Sequence, residues 1–200
     1  MTHTLHRKGT VEDLKEDYVM LAMFAAGIND SYDDSHQKMV KIGEIMKKYN
    51  PVNIISEIVW VTTSTVTAAF DNLESVKNVI RELKKEDFGI SIVVSGLISE
   101  IEEALKELEL YPHTIHFSLG TFSGPKVQSL PSEKILEITT MCGHHTVSPQ
   151  SITNYVKLIK QGKITIEKAA EKLTKPCVCG IVNTKRITKV LNSLISEKKN

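Results

Sequence analysis

Across residues 18–119 strand-like and helix-like hydrophobic patterns alternate, which restricts the chain to folds in which helices lie against a sheet. YVMLAMFAA (18–26) reads as a buried strand, and SHQKMVKIGEIMKKY (35–49) as a helix that must stop before Pro51. EIVWVTTSTVTAAF (57–70), rich in β-branched and aromatic residues, reads as a second strand. In LESVKNVIRELKK (73–85), Leu73, Val76, Val79, Ile80 and Leu83 form one apolar helical stripe. ISIVV (90–94) predicts a third strand. Ser99 with Glu102 predicts a capping box for a helix carrying Ile98, Ile101, Leu105 and Leu108, and TIHFSL (114–119) predicts a fourth strand. Four strands separated by three helices imply an α/β layer with a largely parallel sheet, and an α+β ferredoxin-like mixed sheet of similar element order is the competing arrangement.

After Gly120 the texture changes. TFSGPKVQSLPSE (121–133) reads as a linker, and the remainder as helices: 133–141 ending at Gly143, a helix from Ser148-Pro149 to Ile159 stopped by Gly162, 165–174, and about 184–197. The last aligns Ile187, Val190, Leu191, Leu194 and Ile195 on one side. The organisation expected is an α/β layer over about residues 1–122 with a helical part over about 123–200 packed on it.

The chain has 200 residues, 41% hydrophobic and 24% charged, enough to bury one good core or two small ones. It contains no apolar run of membrane-spanning length, its first residues are polar, and three cysteines fit a reducing compartment better than a disulfide framework; a cytoplasmic address is expected. A net charge of +1 argues against a dedicated nucleic-acid binder. The five Lys/Arg among residues 181–200 read as a solvated helix face.

Cys142, Cys177 and Cys179 fall in MCGHHTVSP (141–149) and KPCVCGIVN (175–183), outside the periodic stripes. A structural cysteine is usually a small core hydrophobe, whereas these lie at helix ends or in loops, two of them followed directly by glycine. Three thiolates suit a [4Fe–4S] cluster whose fourth iron is left to His144, His145, a substrate or a partner. The same cysteines with either histidine suit a Cys₃His zinc. Cys142 with a histidine could also act as a nucleophile, but the C-terminal end of a helix opposes a thiolate there, which favours a metal. Purely structural cysteines are the remaining reading.

A second, small-molecule site is expected beyond the carboxyl ends of the strands, at Gly27, Asn29 and Asp30, near Gly96 and Gly120, with His116 facing it from the last strand. No nucleotide-binding glycine pattern accompanies it. Turns, a half-buried histidine and surface solvation of Asp30, Asp33, Asp34 and Arg7 are the plainer accounts of these residues.

The runs EITTMCGHHTVSP and KLTKPCVCGIVNTKR, with DYVMLAMFAAGIND and NPVNI upstream, resemble over nearly the whole chain a family of uncharacterised proteins from methanogenic archaea and anaerobic bacteria. TTMCGH and PCVCGI are its most specific motifs. The resemblance implies no established activity. It implies an oxygen-free setting suited to an exposed cluster, and a glycine at the position of His145 makes His144 the better ligand candidate. The expectation is therefore an iron–sulfur protein with metal ligands Cys142, Cys177, Cys179 and His144. It would serve either as an enzyme using an open iron as Lewis acid on a small polar substrate, or as a fully ligated electron-transfer or sensing module with a redox partner. The alternative is a zinc-stapled structural or interaction protein.

Overall fold

A computed structural model describes residues 7–25, 27–29, 34–62, 65–115 and 129–197. In chain order the elements are α1 (Val11–Leu14), β1 (Tyr18–Met23), α2 (Ser35–Lys48), β2 (Asn53–Ile54), α3 (Glu57–Thr62), β3 (Thr65–Phe70), α4 (Leu73–Glu86), β4 (Ser91–Ser95), α5 (Ile98–Glu107), α6 (Glu133–Thr139), α7 (Pro149–Lys160), α8 (Ile166–Thr174) and α9 (Thr184–Ser196).

The fold is mixed α/β with a helical C-terminal part. Its sheet has the order β2-β3-β1-β4, with every neighbouring pair antiparallel. Each helical crossover skips one strand position: β3 fills the gap between β1 and β2, and β1 fills the gap between β3 and β4. This is the interleaved split βαβ of the ferredoxin-like arrangement, and the largely parallel sheet is corrected to it. The element order is the same in both, so periodicity could not separate them.

Alternation along β1 and β3 divides the interior in two. Tyr18, Met20, Ala22, Val66, Ala68 and Phe70 face the first core, where α2 and α4 contribute Met39, Ile42, Met46, Val76 and Val79. Val19 and Ala69 face the second core, filled from the C-terminal helices by Ile138, Ile152, Ala169, Leu173, Ile187 and Leu191. The central strands are thus covered on both faces.

The segment 57–70 is not one strand. Its first half is α3, because Trp60 buries its ring against Gly43 of α2, where an added Cβ would lie 2.5 Å from that ring. Tertiary packing overrides the β-propensity of EIVWVT. The capping box at α5 does not form: Leu97 is the N-cap without a side-chain bond, and Ser99 lies inside the helix. Thr114 and Ile115 belong to no strand, and residues 116–119 of that expected element lie outside the described residues. α7, α8 and α9 start within about one residue of their expected positions, α7 at the expected Ser148 cap, and Ser148, Thr165 and Asn183 each accept a bond from the backbone N–H three residues on.

An ion cluster ties the chain ends to the sheet. Asp17, fully buried, receives Arg7 Nη1 at 2.6 Å and Arg186 Nη1 at 2.6 Å. Arg186 also donates to the Lys8 carbonyl, and Asn183 Nδ2 donates to the Glu16 carbonyl at 2.7 Å. Arg186 is only 3% exposed, so the basic run of the last helix is not wholly a solvated face, and Arg7 is not a surface charge. Lys185 and Lys189 do stay at the surface, paired with Asp71 and Glu16.

Candidate functional site

Two loops meet over the second core. The first follows α6, where the Thr140 hydroxyl donates back to the Leu136 carbonyl at 2.7 Å and the Cys142 N–H reaches the Thr139 carbonyl at 3.3 Å. A tight turn follows, with His145 N–H on the Cys142 carbonyl at 3.0 Å. Its left-handed residue is His145, at φ 57°, rather than the expected Gly143.

The second loop leaves α8 at Pro176 and crosses the edge of the sheet. Gly180 has φ +64° and packs so closely on β2 that a Cβ would collide with the backbone of Ile54 and Ile55. Glycine is required there. Side chains from the N-terminal half pin the carbonyls of this loop: Thr67 donates to Cys179, Arg7 to Ile181, and Asn53 Nδ2 to Val182 at 3.0 Å. The loop so held carries Cys177, buried, and Cys179, half-buried.

All three cysteines are free thiols; Cys142 and Cys177 are buried and Cys179 is half-buried. Cys142 and Cys177 lie in the same core cluster, with Cys179 packed against it, although 34 residues separate Cys142 from Cys177 in the chain. Thr146 Oγ1 lies 3.1 Å from Cys142 Sγ. The neighbouring Cys177 thiol, helped by Thr146 and opposed by burial, holds the Cys142 thiol below the usual thiol range. Cys177 is driven the other way by Cys142 and by burial. Burial, then the charge on Cys142, pushes Cys179 up. The helix-end position was expected to disfavour a thiolate at Cys142; its neighbours act in the opposite direction.

His144 Nδ1 is 3.4 Å from Cys179 Sγ. The structure therefore brings Cys142, Cys177, Cys179 and His144 into one neighbourhood. As donors they suit a soft metal. Among the described residues, however, no group of three or more His, Cys, Asp or Glu side chains is arranged to hold a metal ion, so a full ligand shell needs side-chain movement.

Of the second expected site, Gly27, Asn29 and Gly96 are among the described residues. Because β1 and β4 run antiparallel, the end of β1 at Met23 pairs with Ser91, while the end of β4 at Ser95 lies beside Val19. Gly27 and Gly96 thus leave opposite ends of the sheet, roughly 14 Å apart along β1. Gly27 takes a turn at φ +74°. Asn29 is a loop staple, accepting from the Ala25 N–H at 2.7 Å and donating to the Gly89 carbonyl at 2.8 Å. Asp30, Asp33 and His116 lie outside the described residues, and Asp34 pairs with Lys38 at the start of α2. Two surface cavities of about 240 Å³, one between α2 and α4 and one beside Asp71 and Lys185, include none of these residues and none of the cysteines.

Sequence reasoning missed the residues that hold the thiols: Thr146, and the carbonyl-pinning Arg7, Asn53 and Thr67. Thr146, four residues after Cys142, was within reach of a local reading. The other three act across more than 100 positions and leave no local signal. No helix among the described residues is long and apolar enough to cross a membrane. No protein-family model matches the chain, and neither the curated proteins nor the solved structures contain a match to it.

Proposed function

We propose that Cys142, Cys177 and Cys179 are thiolate ligands of a metal centre with His144 as fourth donor, in a protein of a reducing, cytoplasmic setting. One observation carries this reading: three cysteines from two distant loops gather at one core cluster, with His144 Nδ1 3.4 Å from Cys179 Sγ. A Cys₃His donor set of this kind suits a single tetrahedral ion of the zinc type. Cys179 and His144, now engaged with each other, would turn to complete the shell.

The iron–sulfur cluster is the second reading, favoured by three thiolates of which two are followed directly by glycine. It needs sulfurs roughly 6–7 Å apart. With a closed shell the centre staples loops or carries electrons to a redox partner; with an open position it acts as Lewis acid on a small polar substrate.

Anaerobic purification followed by metal and acid-labile sulfide analysis decides between these. The expected result is one zinc per chain without sulfide, lost when any one of the three cysteines is replaced by serine. Iron with stoichiometric sulfide replaces the single-ion reading with the cluster. Protein that takes up neither, from hosts supplied with both, overturns the metal centre altogether.

A further inference from the structure

The two outer strands of the sheet are finished differently. Against β2 lies the 176–182 loop: Gly180 sits so close that a Cβ there would collide with the backbone of Ile54 and Ile55, and Asn53 Nδ2 donates to the Val182 carbonyl at 3.0 Å. On the opposite side β4 is the last strand, and among the described residues no strand pairs beyond it.

An outer strand presents a row of unpaired N–H and C=O groups, which proteins blunt with lysine, proline or a bulge. Ser91-Ile92-Val93-Val94-Ser95 has no charge and no proline. It pairs with β1 in unbroken register, from Ser91↔Met23 to Ser95↔Val19, so no bulge twists it away. One of its faces is bare as well. The C-terminal helices cover Val19 and Ala69 but do not extend to the β4 side of the same sheet face, where Leu21 is only partly buried and its neighbour Val93 is 43% exposed.

We propose that β4 is the contact through which two copies of this chain associate edge to edge, joining their sheets into one; this does not depend on the metal reading. The strand's own sequence selects the occupant. About a two-fold axis at Val93, an antiparallel copy sets Val93 against the partner's Val93, Ser91 against the partner's Ser95 and Ile92 against the partner's Val94. Opposed residues of an antiparallel pair share a face. Ile92 and Val94, which pack on the first core, therefore stay on the core side in both copies, and the two Val93 side chains meet on the open side. A slip of one residue would set the core face of one copy beside the open face of the other, which fixes the register. Main-chain hydrogen bonds supply the attraction, as in other strand additions, and neither strand brings a charge into the contact. Ile98, 40% exposed just beyond the strand, comes beside the start of the partner's β4 and widens the apolar contact at both ends. The contact is small against the about 20–30 residues a side of a stable complex, so the dimer exchanges with monomer.

The test is sedimentation equilibrium of the full, reduced chain over a dilution series, which should fit a monomer–dimer equilibrium. Val93→Lys sets two like charges opposite each other on the axis and should weaken the dimer by about tenfold or more. Its far-ultraviolet circular dichroism should be unchanged, because Val93 is not a core residue. Val93→Cys gives a second reading: mild oxidation should link two chains beyond any linking in the native protein, whereas Ser91→Cys, which faces the partner's Ser95, should not. A native chain that stays monomeric at every concentration overturns the proposal. If the Ser91–Ser95 amides of that monomer exchange slowly, the occupant is a segment of the same chain, such as 116–128. A dimer as tight in Val93→Lys as in the native chain, or one linked as readily through Ser91→Cys as through Val93→Cys, places the interface elsewhere and equally overturns it.

Discussion

At the scale of single residues, the most informative contrast is between Cys142 and Cys177, which share an environment and are driven in opposite directions. Each is buried, so burial alone does not separate them. The neighbouring Cys177 thiol and the Thr146 hydroxyl act on Cys142 against burial and lower it. The native pKa of Cys142 is depressed relative to the unfolded chain, so its contribution to stability is fully present above the ordinary thiol pKa of about 8.5. It is lost as pH falls through the native value. Cys177 has the reverse sign: its contribution is present below about 8.5 and lost as pH rises toward its elevated native value. Titration of thiolate ultraviolet absorbance in reduced, metal-free protein should therefore show a first step below the ordinary thiol range. Cys177→Ser should move that step upward by removing the neighbouring thiol, and Cys142→Ser should abolish it. An unshifted step in Cys177→Ser would show that Cys177 does not act on Cys142.

At the scale of elements, α3 shows how a helix arises from a strand-like sequence. Val59 and Trp60 pack against the first core while Ile58 and Val61 stay exposed, a division that a helix of Glu57–Thr62 provides and a buried strand would not. Gly43 in the middle of α2 is the counterpart, its missing side chain leaving room for the Trp60 ring. Gly43→Ala ordinarily strengthens a helix by about 1 kcal/mol. Here the added methyl lies 2.5 Å from the indole, and overpacking of this kind costs about 1–3 kcal/mol. Net destabilisation is expected, measured by urea unfolding, with a changed emission from Trp60, the one tryptophan in the chain. A variant more stable than the parent would show that α2 and α3 part without cost.

At the scale of the whole molecule, the sheet is the wall shared by two cores, and the ion cluster is the bolt across one end of it. Asp17, at the foot of β1, pairs with both Arg7 from the N-terminal segment and Arg186 from α9, and Glu137, 3.8 Å from Arg186, supplies the second negative charge. Removing one partner of a buried charge group leaves the others uncompensated, at a cost of about 3–5 kcal/mol. Asp17→Asn should lower stability by about that amount. Because the strands belong to both cores, Trp60 fluorescence, which reports the first core, and far-ultraviolet circular dichroism, which is weighted to helices of both, should still give coincident transitions. Separate transitions would mean that the C-terminal helices unfold on their own. The same cluster bears on the thiol site, since Arg7 also holds the Ile181 carbonyl in the loop that carries Cys177 and Cys179.

Local chemistry was enough to place most helices, the cap at Ser148, and the apolar stripes of α4 and α9, because each depends on residues within a few positions of one another. It also singled out Cys142, Cys177, Cys179 and His144, which stand outside those stripes. Strand direction was decided only in three dimensions, since an antiparallel split βαβ and a parallel layer read alike along the chain. So was the separation of Gly27 from Gly96, which depended on that direction. The setting of the thiols belongs to the same class. The position of the loop that carries Cys177 and Cys179 follows from Thr67, Asn53 and Arg7 gripping it from more than 100 residues away, a distance over which sequence pattern carries no information.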